Sequence, residues 1–165
     1  MSRIVSNIVE VCVFKIENKK PKFLILRRSK IEKLFPNSWQ IISGKIHKKE
    51  KAMETAIREL KEETGLAPEK FWVTPHANLF LFPIIDEIHA TSVFSVLVKS
   101  SDKIRLSEEH YQYKWCTIIE ANKKLVWPGQ IKAIEITNEF ILKRKESARF
   151  AEISENIYKK TKRKN

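Results

Sequence analysis

"GKIHKKEKAMETAIRELKEETGL", Gly44 to Leu66, is the stretch on which the reading of the fold turns. Met53, Ala56, Ile57 and Leu60 recur at helical spacing and form one apolar stripe, and Ala52 and Ala56 are small enough for close approach to a sheet. The periodicity predicts a helix over roughly Glu50 to Glu63. Gly65 is placed to stop it in the left-handed conformation, with Leu66 folding back on Leu60 in a Schellman-type ending. One feature does not belong in so regular a helix. Glu59, Glu62 and Glu63 crowd one face at its C-terminal end, where they repel one another and the electronegative end of the helix dipole. A chain with a formal net charge of +12 had bases available for that face.

Two ordinary pairings help only modestly. Glu54 with Arg58 and Arg58 with Glu62 are i,i+4 pairs, worth about 0.2–0.5 kcal/mol each, and one arginine does not neutralise three acids. A hard divalent cation does, because Mg²⁺ favours carboxylate oxygens and keeps waters and substrate phosphates in its shell. A solvated acidic face with Lys48, Lys49, Lys51 and Lys61 nearby satisfies the same spacing. Spacing alone leaves these two readings level.

Working outward, apolar runs at Ile8–Phe14 and Phe23–Leu26 flank the polar turn "ENKKPK" and predict a β-hairpin. A loop, "SKIEKLFPNSWQIIS", leads into the helix. Beyond it, Phe71–Val73 and Asn78–Ile84 read as extended pieces, and "HATSVFSVLV", His89 to Val98, as a central strand. Tyr113–Ile118 predicts a short strand and Ile119–Leu125 a helical turn. Pro128 stands near the start of a longer helix, roughly Ile131 to Lys145, whose Ile131, Ile134, Ile136, Phe140 and Ile141 keep helical spacing. Strands, helix, strands, helix predict an α+β domain, a mixed sheet between helices. Residues 1–150 are expected to form one domain, with 151–165 a basic C-terminal tail, a helical extension that frays into "KKTKRKN".

Length and composition agree with one domain: 165 residues, 42% apolar and 32% charged, are globular rather than disordered in type. The N-terminus has no long apolar run followed by small residues, so neither a signal peptide nor a membrane span is expected. Cys12 and Cys116 lie in apolar strand-like runs without metal-ligand spacing, which suits free buried thiols in a reducing cytoplasm. The basic excess attracts polyanions without choosing among them. RNA contact rests on the tail alone, and a homodimer through an edge strand or the C-terminal helix is left open.

The full spacing separates the two readings of the acids. Gly44, then Glu50, then Arg58-Glu59-Leu60-Lys61-Glu62-Glu63-Thr64-Gly65-Leu66 resembles the Nudix box at each of its defining positions. The resemblance implies an α/β/α sandwich with a mixed sheet between helices. It also implies Mg²⁺- or Mn²⁺-dependent hydrolysis of a nucleoside diphosphate linked to another group. Carried over by position, Glu59, Glu62 and Glu63 are the implied metal ligands, and the Ser43 carbonyl a further oxygen. Gly44, Glu50, Arg58 and Gly65 are implied to support the site, Glu50 and Arg58 mainly by pairing with each other. "SEEHYQYKW", Ser107 to Trp115, and "SWQIISGK" resemble segments of the dihydroneopterin triphosphate diphosphatases, which also act on deoxynucleoside triphosphates. On that resemblance Glu109 is the preferred general base or extra ligand, with Glu108 second, and a nucleoside or pterin triphosphate is the favoured substrate. Diadenosine tetraphosphate hydrolases share a related Glu…Tyr-x-Trp arrangement, so a dinucleoside polyphosphate comes second. A non-catalytic nucleotide- or RNA-binding module on the same scaffold is the reading of another class. This chain departs from the usual box in carrying Ser43 where a first glycine is common, and in the basic loop "KIHKKEK".

Outside the box, Arg28 is preferred over Arg27 as a phosphate-binding arginine leaving the strand "FLIL". Trp39 is expected to pack beneath the box loop, with base stacking as its other reading, and His47 to touch phosphate from that loop. His76, His89 and His110 have no companions at metal spacing and read as surface or core residues.

Overall fold

Val9, Val11 and Val13 alternate with Glu10, Cys12 and Phe14 along the first strand, and every one of the six is buried. A strand buried on both faces belongs inside a layered sheet, and the computed structural model, which describes residues 1–160, places it there. The strands are β1 (Arg3–Glu17), β2 (Lys20–Arg28), β3 (Trp39–Gln40), β4 (Ile42–Lys45), β5 (Lys70–Phe82), β6 (Glu87–Leu97) and β7 (His110–Cys116). They form one mixed sheet in the order β3-β2-β1-β6-β5, with β4 also pairing β1 and β7 also pairing β2. β1 runs parallel to β6 and antiparallel to β2 and β4. The predicted hairpin is present, Phe14 facing Phe23.

The two faces of β1 feed two cores. Val9, Val11 and Val13 pack with Ala56, Leu60 and Leu66 beneath helix α1 (Ala52–Thr64). Cys12 and Phe14 pack with Ala121, Ala133 and Ile134 of α2 (Ile118–Lys124) and α3 (Pro128–Ile136). Helices on both faces of a mixed sheet are the expected α+β sandwich. Short helices α4 (Lys145–Ala148) and α5 (Glu155–Lys160) follow. Tyr158 of α5 is buried edge-on against Phe71, 5.8 Å between ring centroids, so residues 151–158 lie against the core rather than apart from it. The rest of the predicted tail, residues 161–165, lies outside the described residues. No helix among the described residues is long and apolar enough to cross a membrane.

Three details differ from the sequence reading. The extended pieces around Phe71 and Asn78 are one strand, β5, because a register shift between Val73 and Ala77 accommodates Pro75. The helix predicted to Lys145 leaves α geometry after Ile136 and becomes a π-helical turn over Thr137–Leu142. There the Thr137 hydroxyl bonds the Ala133 carbonyl at 2.8 Å and the Ser95 hydroxyl on the sheet at 2.9 Å, competing with the regular backbone pattern. Gly65 does end α1 at φ 71°, which favours glycine, but its N–H bonds the Lys61 carbonyl at 2.8 Å while Leu66 N–H goes to Thr64 Oγ1 at 3.2 Å. That is the simpler left-handed stop rather than a Schellman motif.

Candidate active site

Arg58 organises the box. Its Nε and Nη2 donate to the two oxygens of Glu50 at 2.9 and 3.0 Å, and Nη2 reaches the Lys45 carbonyl at the end of β4 at 3.1 Å. Its Nη1 donates to Glu59 at 2.6 Å and Glu62 at 2.9 Å. The expected pairing of Glu50 with Arg58 is present and bidentate, and the same guanidinium also ties Glu59 and Glu62 to the sheet, because its five donors fan over the whole turn. The Arg58 hydrogen bonds hold the Glu50 carboxyl down to about 2, against a usual 4.5. A depressed carboxyl stabilises the fold above its unfolded pKa and loses that contribution as pH falls towards the folded value. Glu50→Gln is thus expected to cost about 1 kcal/mol at pH 7, with the gap from wild type closing as pH falls from 4.5 towards about 2. Thermal melts across that window measure it, and a pH-independent gap would exclude this pair as the cause.

Glu63 is the opposite case. It is buried on the inner side of α1; among the described residues its Oε2 has no hydrogen-bond partner, and it lies 3.7 Å from the equally unpartnered Nδ1 of His110. Burial, then the charges of Glu59 and Glu109, push its carboxyl well above 4.5, opposed by Arg28 and a backbone hydrogen bond from Ser43. Burial likewise raises Glu59, with Arg58 opposing and Glu62 and Glu109 adding repulsion. The Glu59 carboxylate occupies the space over Gly44: a Cβ built there falls 2.0 Å from Glu59 Cδ. This close approach is what the glycine provides.

Behind Glu63, His110 Nε2 lies 3.1 Å from Gln40 Nε2. With the Gln40 amide so oriented, its nitrogen donates, and the His110 proton sits on Nδ1, facing Glu63. Burial and the nearby Arg28 charge lower His110 to about 4, so it is neutral at pH 7. Sequence reading missed this pair. The residues stand 70 apart in sequence and meet because β2 pairs with both β3 and β7, Leu26 facing Gln40 and Arg28 facing His110. No local spacing signals it.

The remaining predicted residues are placed unevenly. Glu109 is exposed, yet its charge acts on both Glu59 and Glu63, whereas Glu108 is not among the charges that shift either. Arg28 acts on Glu63 through its charge, but its guanidinium is engaged by the Leu34 carbonyl at 2.9 Å and Glu32 at 2.8 Å, bracing the loop after β2. Trp39 does not lie beneath the box loop. It packs on the α2–α3 side, with the Arg27 guanidinium 5.6 Å and the Lys124 ammonium 5.4 Å from its ring. The His47 side chain is exposed, and its backbone N–H caps Glu50 at 3.1 Å.

Do these residues fit a divalent cation? The orphaned Glu63 oxygen, and the carboxyls of Glu59 and Glu63, both raised first by burial and then by neighbouring acids, describe an oxygen donor set short of positive charge, which suits a hard cation. Among the described residues no three carboxylate, histidine or cysteine side chains converge closely enough to hold an ion as they stand. Arg58 Nη1 sits between Glu59 and Glu62 instead. The chemistry fits, and the geometry requires those two side chains to turn from Arg58.

Comparison with known proteins agrees. Residues 7–135 match the NUDIX domain, and the chain belongs to that family. The asymmetrical bis(5'-nucleosyl)-tetraphosphatase of Rattus norvegicus is 31% identical over 109 residues, 65% of this chain and 71% of that protein. An octanoyltransferase of Myxococcus xanthus is 28% identical over 122 residues, 73% of this chain but 33% of the relative, so the chain spans about a third of that protein's length. Among solved structures, the binary complex of a C. elegans Ap4A hydrolase superposes with a TM-score of 0.71 at 21% identity, covering 83% of this chain and 98% of that one. The E. coli dihydroneopterin triphosphate pyrophosphohydrolase superposes with a TM-score of 0.64 at 21% identity, covering 84% and 99%. At these identities the two structures speak for the fold.

Proposed function

We propose that this chain is a hydrolase of phosphoric-anhydride bonds, acting on a nucleoside or pterin triphosphate with Mg²⁺ or Mn²⁺ as cofactor. The observation that carries the proposal is the gathering of Glu59, Glu63 and Glu109 within one another's field, with a buried Glu63 oxygen left without a partner. Glu59, Glu62 and Glu63 are the side chains that would hold the cation, and the Ser43 carbonyl is the backbone candidate. When bound, the ion neutralises phosphate oxygens and acidifies water. Glu109, exposed beside the buried acids, accepts the proton as a water oxygen attacks phosphorus. The anhydride P–O bond then breaks, and pyrophosphate or orthophosphate leaves with the electron pair. Gly44 gives Glu59 its place; Glu50, through Arg58, fixes the end of β4 against α1.

A dinucleoside polyphosphate is the second reading, favoured by the 31% identity to the rat tetraphosphatase. A screen with nucleoside triphosphates, dihydroneopterin triphosphate and diadenosine polyphosphates decides between them. Release of pyrophosphate or phosphate from a triphosphate is the expected result. Cleavage of diadenosine tetraphosphate alone would transfer the assignment to the second reading, and no Mg²⁺- or Mn²⁺-dependent release from any substrate would sink both. Two buried free cysteines suit a reducing compartment, so we place the protein in the cytoplasm. RNA as a substrate or partner rests only on the basic C-terminal tail.

A further inference from the structure

Between Lys70 and Lys99 there is no lysine or arginine, in a chain that carries 32 of them. The fold puts this stretch at the rim: β5 is the outermost strand of the sheet, paired with β6. Part of its outer edge is covered by the chain itself, through Val73 N–H to the Ala151 carbonyl at 2.9 Å and Ile153 N–H to the Phe71 carbonyl at 2.8 Å. From Pro75 to Leu81 no backbone hydrogen bond among the described residues reaches that edge. Pro75 and Pro83, which cannot donate, bracket the open stretch.

The exposed side chains along it are apolar. Leu79 and Leu81 are 64% and 54% exposed, and Ile4, in the same cross-strand row as Leu81 through Ile88, is 70% exposed. An edge strand left to face water is usually guarded by lysine, inward charge or a covering segment. This one has proline at its two ends and no charge between them, the composition of a strand that pairs with another chain.

We propose that Ala77–Leu81 of β5 docks on the same segment of a second copy, the two strands pairing antiparallel about a two-fold axis to continue the sheet across a dimer. Charge selects a copy as the occupant. A chain of net charge +12 is repelled by its twin over surfaces bearing lysine and arginine, and least along the one long stretch that has neither. Depletion of charge is also what marks the centre of a protein interface. A two-fold contact needs a self-complementary patch, and an antiparallel strand edge is one. The hairpin tip bears Asp86 and Glu87, which oppose an anionic lipid surface as the alternative occupant.

Sedimentation equilibrium of the full chain at several concentrations tests this. A mass about twice the 19.4 kDa chain is expected, falling to the single-chain value for the double variant Leu79→Lys, Leu81→Lys. Ile119→Lys, at an equally exposed apolar position on α2, should stay dimeric. Leu79→Cys should cross-link under mild oxidation and Ile119→Cys should not; the native Cys12 and Cys116 are buried and do not compete. The cross-link decides the matter should the double variant fail to fold. A wild type that is monomeric up to its solubility limit, a double variant that still dimerises, or a monomer that floats with phosphatidylcholine vesicles overturns the proposal.

Discussion

Glu63→Gln is expected to slow turnover by orders of magnitude while leaving the metal-free fold at least as stable as wild type. Loss of a carboxylate proposed to hold the cation would remove several kcal/mol of transition-state stabilisation, roughly a 10²–10⁴-fold fall in kcat. The stability side follows from burial. In the wild type an ionised Glu63 sits against the charges of Glu59 and Glu109 with one oxygen unpartnered. Because its folded pKa is raised, its contribution to stability is full below 4.5 and is lost as pH rises through the folded value. The substituted amide carries no charge to bury, so the variant should lose less stability over that rise than wild type does. Metal-free thermal melts from acid to neutral pH, beside phosphate-release assays with Mg²⁺, read both effects. A variant as fast as wild type removes Glu63 from the chemistry. A variant that is slow but also much less stable makes its role one of packing.

The parts of the site legible in the chain are those that lie close together in it. Gly44, Glu50, Arg58, the glutamates and Gly65 lie within a short stretch of chain, and helical spacing alone puts the glutamates on one face. Their exact pairing was less legible. A reading by i,i+4 pairs assigns Arg58 to Glu54 and Glu62; the guanidinium does reach Glu62, but it turns back to Glu50 and to Lys45 at the end of β4, while Glu54 accepts from the Lys51 N–H instead. Those contacts depend on how β4 turns into the helix. The Gln40–His110 pair behind Glu63 was illegible for a stronger reason: it exists only because β2 carries a strand on each side of its C-terminal half. Arg28 shows a third kind of limit. Its position at the strand end was readable, but the loop that folds back to take its guanidinium has no periodicity to announce its shape. The two extended pieces read on either side of Pro75 are one strand, because the sheet absorbs the proline in an irregular register.

Gly44→Ala is expected to remove most of the activity with little change in the fold, and the reason is purely geometric. The new methyl would lie 2.0 Å from Glu59 Cδ and 2.1 Å from its Oε1, far inside contact distance. What must yield is the far end of a flexible side chain, so the backbone of β4 and its pairing with β1 can stay in place. Gly44 is not among the residues with positive φ, so alanine imposes no backbone strain there. Glu59, however, cannot keep its present place between Gly44 and Arg58 Nη1. A displacement of an ångström at a reacting centre costs about 10²-fold, and a similar or larger loss in kcat is expected, with more Mg²⁺ needed for half-maximal rate. The melting temperature should move by no more than the roughly 2–4 °C that about 1 kcal/mol represents in a chain of this size. Side-by-side kinetics, metal titration and melting of the variant test the argument. Full activity at an unchanged metal requirement would mean that Glu59 works equally well from elsewhere, and that the glycine serves β4 rather than the site.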